Sequence, residues 1–281
     1  MPSTAPHRTQ VAASVLIAVL ATAPLPFTVT AFIMGDDDRV PVAAVEPDPT
    51  FRQTGIVRVF GEELATGLVT GANCDVVVSA GHVLVAPRGN GPPDQAAADP
   101  AFVPGGPGSA AAIPMQLAAS GGGTGDDFED DARDWAIFRL RHPLPGGCQV
   151  IGPVTAGDHC VAGVMMPAFH FDRRDTLLVD RDCRVYPSVS SGVRIHDCDS
   201  KEGSSGAPLL CRTGGDGALV GINVSGLTRR GYTDPGIYGQ RGEGFDPGSH
   251  KNYAVAVGGA FRAALERELA ASRQRAQDSE R

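Results

Sequence analysis

Short apolar runs, separated by glycine, proline and polar residues, recur along most of the chain. In the first half they lie at Thr54–Phe60, Leu68–Thr70, Asp75–Ser79, Ile113–Ala118 and Trp135–Leu140. In the second half they lie at Val161–Met165, Thr176–Val179, Arg184–Tyr186, Gly192–Ile195, Ala207–Leu210, Leu219–Val224 and Asn252–Val257. Runs of this length bounded by turn residues predict β-strands, and many of them at close spacing predict an all-β sandwich or barrels.

Three segments depart from the strand pattern. Gly35–Pro49 is acidic and contains prolines, which is typical of a lead-in segment before the first strand. Arg88–Asp131 is rich in glycine and proline and predicts long loops around one or two strands. At the end of the chain Phe261, Leu265 and Leu269 recur every four residues, which predicts a helix from residue 259 to about 277.

Composition and charge narrow the class of protein. The 281 residues include 36 glycines and 22 prolines, which disfavours a helix-rich fold. The glycines have no three-residue period, so a collagen is excluded. The formal net charge of −8 argues against a nucleic-acid partner.

The N-terminus has the pattern of an export signal. One positive charge at Arg8 precedes an uncharged run, Thr9–Gly35, with an apolar centre at Val11–Leu20. This length suits the apolar region of a signal peptide. The alternative is an uncleaved membrane anchor, although Pro24 and Pro26 would interrupt a spanning helix.

Two sites with small residues are candidates for signal cleavage. Val29–Ala31 is favoured, because Pro24 directly after Ala21–Ala23 would hinder cleavage there. We therefore predict a signal peptide over residues 1–31, a mature chain from Phe32, a secreted or periplasmic location and no stable membrane span after cleavage.

Three motifs carry the candidate chemistry: Val78–Val83 with a central His, Asp134–Ile137 opening a strand, and Gly203–Leu209 with the pattern Gly-x-Ser-Gly-x-Pro. Each alone is common, but the three together, in this order and each beside a predicted strand, are far more specific. Here the chain resembles the trypsin-like serine peptidases of the chymotrypsin fold, which have the order His, Asp, Ser.

The resemblance implies an architecture. It predicts an all-β fold of two six-stranded antiparallel barrels, followed by a C-terminal α-helix, with the active site in the cleft between the barrels. The peptidase domain would cover residues 32–281, with the first barrel at about 50–145, the second at about 158–258 and the helix at 259–277.

The resemblance also implies a serine endopeptidase that acts on protein or peptide substrates. His82 would act as the base, Asp134 would orient it, and Ser205 would be the nucleophile that forms an acyl-enzyme. The backbone N–H groups of Gly203 and Ser205 would form the oxyanion hole. This mechanism requires no cofactor and no metal.

Two alternatives to this assignment are open. Ser204 competes with Ser205 as nucleophile, but the Gly-x-Ser-Gly-x-Pro frame selects Ser205. A catalytically silent, peptidase-like binding module is the rival function, although His82, Asp134 and Ser205 are all present. The remaining histidines lie outside any catalytic frame, and we expect them to be structural or exposed.

The branch within the family is indicated by Ser204. Trypsin-type enzymes have an acid there, which pairs with a newly cut N-terminal amine. The stretches Cys198–Pro208, Gly221–Gly226 and Asn252–Val255 look more like the V8-like, glutamyl-endopeptidase-type bacterial branch. Since Ser204 cannot form the ion pair, we predict similar activity for chains that start anywhere from Phe32 to about Ala43.

The sequence indicates the substrate preference less clearly than it indicates the catalytic residues. Asp199, six residues before Ser205, matches the position of the acid that binds Arg or Lys in trypsin-like enzymes, yet V8-like enzymes often carry it without that preference. Asn223 stands where glutamyl endopeptidases have a His, which puts a Glu preference in doubt. We assign no specificity, and expect a substrate strand to pair with Val224, Ser225 and Gly226.

Six cysteines, none in a Cys-x-x-Cys pair, argue against a zinc site. An even number in an exported chain favours three disulfides. Cys183 and Cys198 flank a predicted hairpin and are expected to pair, and the family resemblance implies Cys160–Cys211. Cys74 and Cys148 are then left as the third pair.

Overall fold

A computed structural model describes residues 32–45, 48–85, 100–105, 111–123, 128–154, 160–186, 192–212, 217–228 and 250–281. The predicted signal peptide, residues 1–31, lies outside the described residues. Among the helices in these ranges, none is both long enough and apolar enough to cross a bilayer.

The first half of the chain forms a closed antiparallel barrel of six strands. In barrel order these are β2 (Thr54–Val59), β3 (Glu62–Thr70), β4 (Val76–Ser79), β7 (Ala136–Leu140), β6 (Ile113–Ser120) and β5 (Ala101–Pro104). Valines on β4 and Phe138 on β7 are fully buried. Apolar side chains on the inner faces of all six strands thus close the predicted first barrel around one core.

The second half forms an eight-stranded antiparallel sheet. In sheet order its strands are β1 (Val40–Pro41), β9 (Leu178–Cys183), β8 (Val164–Ala168), β12 (Pro208–Cys211), β13 (Ala218–Thr228), β14 (His250–Ala256), β11 (Val193–His196) and β10 (Val185–Tyr186). A closed six-stranded second barrel was predicted, but in the described ranges the end strands β1 and β10 do not pair with each other. Apart from these two-residue end strands the sheet has the expected six strands, but among the described residues β9 and β11 do not pair to close it.

Three helices complete the fold: α1 (Pro49–Gln53), α2 (Phe128–Asp131) and α3 (Gly259–Ser279). The apolar stripe of α3 packs on the first barrel, where Phe261 stacks on Trp135 with ring centroids 5.2 Å apart. On the same side the Ser272 hydroxyl donates to the buried Asp75 carboxylate at 2.6 Å. The predicted C-terminal helix is confirmed, and it ends two residues later than expected.

Three disulfides link Cys74 to Cys148, Cys160 to Cys211 and Cys183 to Cys198. All three pairings agree with those expected from the sequence. The Cys183–Cys198 bridge ties β9 to the segment that leads into residues 203–206.

The lead-in segment is packed against the eight-stranded sheet. Met34 is fully buried and Arg39 is 4% exposed. Val40 and Pro41 form β1, which pairs with Val179 and Leu178 on β9. The lead-in segment is therefore part of the fold, joined to it by a strand pair and by buried side chains.

Candidate active site

Strand pairing brings His82 and Asp134 together. His82 begins a short 3-10 turn directly after β4, and Asp134 lies just before β7. These strands are neighbours, with Ser79 opposite Ala136. Gly81 leaves room at this junction. A Cβ there would lie only 2.9 Å from the backbone nitrogen of Trp135 and 3.1 Å from the Asp134 carboxylate.

Both carboxylate oxygens of Asp134 form hydrogen bonds with His82. The backbone N–H of His82 donates to Oδ1 at 2.6 Å, and Nδ1 lies 2.7 Å from Oδ2. Asp134 is fully buried, whereas the His82 side chain is 25% exposed. The carboxylate thus holds the proton on Nδ1 and leaves Nε2 as the nitrogen able to accept a proton.

The Asp134 carboxylate also changes the acidity of His82. Burial by itself opposes protonation, but the attraction and hydrogen bond of Asp134 outweigh it, and the pKa of His82 is raised above the ordinary value of 6.5. The pair can therefore hold a proton that is taken from a nearby hydroxyl.

The loop at residues 203–206 is held against the first barrel. The Thr66 N–H donates to the Ser205 carbonyl at 2.8 Å, and the Thr66 hydroxyl donates to the Gly203 carbonyl at 3.0 Å. Gly206 has φ +80°, and a Cβ there would lie 2.3 Å from the Thr66 carbonyl and the Ser79 hydroxyl. The loop thus lies directly beside the strand end that leads to His82.

The two adjacent serines have different environments. Ser204 is fully buried, and its hydroxyl lies 2.6 Å from the Ser200 hydroxyl and donates to the Lys201 carbonyl at 2.7 Å. Ser205 is partly exposed. Of the two hydroxyls, the one on Ser205 is the more accessible to a substrate.

The backbone N–H groups of the same loop differ in their hydrogen bonds. Ser204, Gly206 and Ala207 donate to Lys201, Asn223 and Ser204, respectively. Among the backbone bonds of the described residues, none is donated by Gly203 or Ser205. These are the two donors expected for an oxyanion hole.

Asn223 and Asp199, both expected at the substrate, are buried in internal hydrogen bonds. The Asn223 amide donates to the Ser200 hydroxyl at 3.1 Å and accepts from His196 Nε2 at 3.0 Å. The Asp199 oxygens accept from the backbone of Met34 and Asp38 at 2.7 and 2.8 Å. The interpretation of Asp199 as a pocket acid for Arg or Lys is therefore not supported, because both oxygens already have donors within the fold.

The end of β13 at Val224–Gly226 pairs on one side only, among the described residues. On one side Ser225 and Gly226 pair with Tyr253 and Asn252 of β14. On the other side β12 pairs only as far as Ile222, and no described strand continues the pairing along Val224–Gly226. The pairing of a substrate strand with Val224–Gly226 stays a prediction.

Residues that the sequence analysis did not single out support this site. Thr66 donates hydrogen bonds to the loop at residues 203–206. Ser200 is hydrogen-bonded to Ser204 and Asn223, and His196 is hydrogen-bonded to Asn223. Burial lowers the pKa of His196 to about 4 and that of His170 to about 3. Both histidines are structural, as expected. No local motif marks these positions, because each has its role through a partner distant in sequence.

Comparisons with known proteins support the architecture. No family model matches the chain, and no curated protein matches it. A solved Glu endopeptidase, crystallised in complex with MPD, superposes with a TM-score of 0.58 at 16% identity, covering 85% of this chain and 99% of that one. The chain therefore has the chymotrypsin-like fold, as the sequence predicted.

Proposed function

We propose that the chain is an exported serine endopeptidase that uses His82, Asp134 and Ser205. The observation that carries the proposal is the pair of bonds from one buried carboxylate to the backbone and ring of His82, beside the loop that exposes Ser205. A structural histidine needs one partner, whereas this arrangement fixes both its tautomer and its orientation.

The chemistry follows from these positions. Ser205 Oγ attacks the peptide carbonyl carbon while its proton moves to His82 Nε2. The oxygen of the tetrahedral intermediate gains negative charge, which the N–H groups of Gly203 and Ser205 stabilise. The C–N bond then breaks as His82 gives its proton to the leaving amine.

The second half of the reaction releases the acyl group. Water attacks the acyl-enzyme while His82 again accepts a proton, and Ser205 recovers its hydroxyl hydrogen when the ester breaks. Asp134 stabilises the imidazolium in both halves. The edge of β13 at Val224–Gly226 would hold the substrate in an extended conformation.

Export is part of the proposal. The apolar segment within residues 1–31 has the pattern of a signal peptide. Three disulfides join all six cysteines, and such bonds persist in oxidising compartments. Both features support a secreted or periplasmic location.

A fluorophosphonate probe tests the proposed nucleophile. The purified chain from Phe32 should be labelled on Ser205, located by mass spectrometry of the modified peptide. Ser205→Ala should abolish labelling. An exposed serine on α3, replaced in Ser279→Ala, is the control and should leave labelling unchanged. A folded wild-type chain that does not react would favour the silent binding module.

The activity should fall in acid because His82 must be neutral to accept a proton. Its pKa is raised above 6.5, so kcat/KM should fall as the pH drops through a midpoint above 6.5. His170 and His196 stay neutral in this range, since burial lowers their pKa values to about 3 and about 4. In Asp134→Asn the midpoint should move to lower pH. A wild-type profile that is flat down to about pH 5 would contradict the role of His82.

A further inference from the structure

We propose that residues 32–41, which we call the N-terminal brace, position the active-site loop, residues 203–206, through Asp199. This internal segment is therefore required for full activity. The inference rests on the proposed function. It replaces the expectation that chains starting as late as Ala43 are equally active.

The first contact of the brace is with the segment before the loop. The Phe32 carbonyl accepts from the Ser200 N–H at 2.9 Å. The Asn252 amide binds both polar groups of the Phe32 backbone, at 3.0 and 2.9 Å, and also donates to the Cys198 carbonyl at 2.8 Å. Phe32 is therefore joined to residues 198–200 both directly and through Asn252.

Asp199 makes the second contact. Its fully buried carboxylate accepts from the N–H groups of Met34 and Asp38. A buried carboxylate deprived of its donors is strongly destabilised. Without the brace, Asp199 would lose both of these donors, and residues 198–200 would lose the hydrogen bonds that hold them in place.

A hydrogen-bonded path connects Asp199 to the nucleophile. Ser200 follows Asp199 and bonds to the Ser204 hydroxyl at 2.6 Å, and Ser204 directly precedes Ser205. A displacement of Ser200 would thus be transmitted to the residue that fixes the direction of Ser205 and its N–H group.

Arg39 connects the brace to the segment before the loop by a second route. It is buried and donates to Asp37 at 2.8 Å and to Asp172 at 2.9 Å. Asp172 belongs to the turn of Phe171, whose N–H donates to the Glu202 carbonyl at 2.7 Å. The brace is therefore linked to the segment before the loop at two places: directly at residues 198–200, and at residue 202 through Asp172 and Phe171.

The brace acts through backbone groups within the chain. In trypsin-type enzymes a terminal amine pairs with an acid at the position of Ser204. In this chain the buried acid is Asp199, and it accepts from the backbone N–H groups of internal residues. Chains extended upstream of Phe32 should consequently be as active as the chain that starts there.

The test compares a chain that starts at Phe32 with one that starts at Val42. Loss of a single oxyanion donor lowers kcat by about 10²–10³, so we expect the shorter chain to lose at least about 10²-fold in kcat, with a smaller change in KM. A synthetic peptide of residues 32–41 should restore activity saturably. It should fail to do so when the short chain also carries Asp199→Ala.

Single variants of the chain from Phe32 keep the test valid if the shorter chain does not fold. Asp199→Ala should lower kcat, Asp199→Asn should recover part of it because one acceptor oxygen remains, and the exposed-acid control Asp182→Ala should match wild type. Equal kcat for Asp199→Ala and wild type, or for the two chain lengths, would overturn the brace alone. If the Phe32 chain neither hydrolyses peptides nor reacts with the fluorophosphonate, the proposed function fails and the brace fails with it.

Discussion

Replacing His82 by Ala should lower kcat/KM for a peptide substrate by about 10⁴–10⁶-fold, because the nucleophile then lacks its base. The same loss is expected for Ser205→Ala. Since the side chains act as one unit, the double variant should be no slower than the slower single variant. Steady-state or single-turnover kinetics of the purified variants would measure both effects.

An exposed histidine provides the matched control. His142 lies outside the site, and His142→Ala should keep wild-type kinetics. His142→Ala and Ser205→Ala should retain the wild-type unfolding midpoint within a few degrees, whereas His82→Ala removes one donor from the buried Asp134 carboxylate and should unfold at a lower temperature, so it is assayed well below its midpoint. Losses for His82→Ala and Ser205→Ala that multiplied in the double variant would show that the two residues act independently, contrary to the proposed mechanism.

Replacing Gly206 by Ala should destabilise the fold and abolish activity. The residue has φ +80°, a conformation that costs an L-residue about 1–2 kcal/mol. In addition, its Cβ would lie 2.3 Å from the Thr66 carbonyl, which is backbone and cannot rotate away. We expect the free energy of unfolding to fall by at least about 3 kcal/mol, measured by urea denaturation.

Gly122 separates the two causes of that loss. It has φ +77°, but a Cβ there would meet nothing within 4 Å. Gly122→Ala should therefore lose only about 1–2 kcal/mol, the cost of the left-handed backbone, and remain active. Equal destabilisation by the two variants would mean that close contact between the loop and the first barrel is unimportant.

Much of the site could be predicted because its signals are local. The short apolar run at Trp135–Leu140 predicted β7, and the spacing of Phe261, Leu265 and Leu269 predicted α3. The motifs around His82, Asp134 and Ser205 identified the candidate site. Each motif places one reactive side chain next to an apolar run that predicts a buried strand. Period and motif are properties of neighbouring residues, so the sequence by itself determined them.

The tertiary structure alone decided how those pieces are supported. Asp199 lies at a position that suggested a substrate-binding acid, yet its partners are backbone N–H groups more than 160 residues away in the chain. Backbone donors are the same for every residue type except proline, so no pattern of side chains could reveal that Met34 and Asp38 provide them. The contacts of the lead-in segment have the same physical origin: they are hydrogen bonds between backbone and buried polar groups distant in sequence, and they exist only once the segment has packed on the second half of the chain.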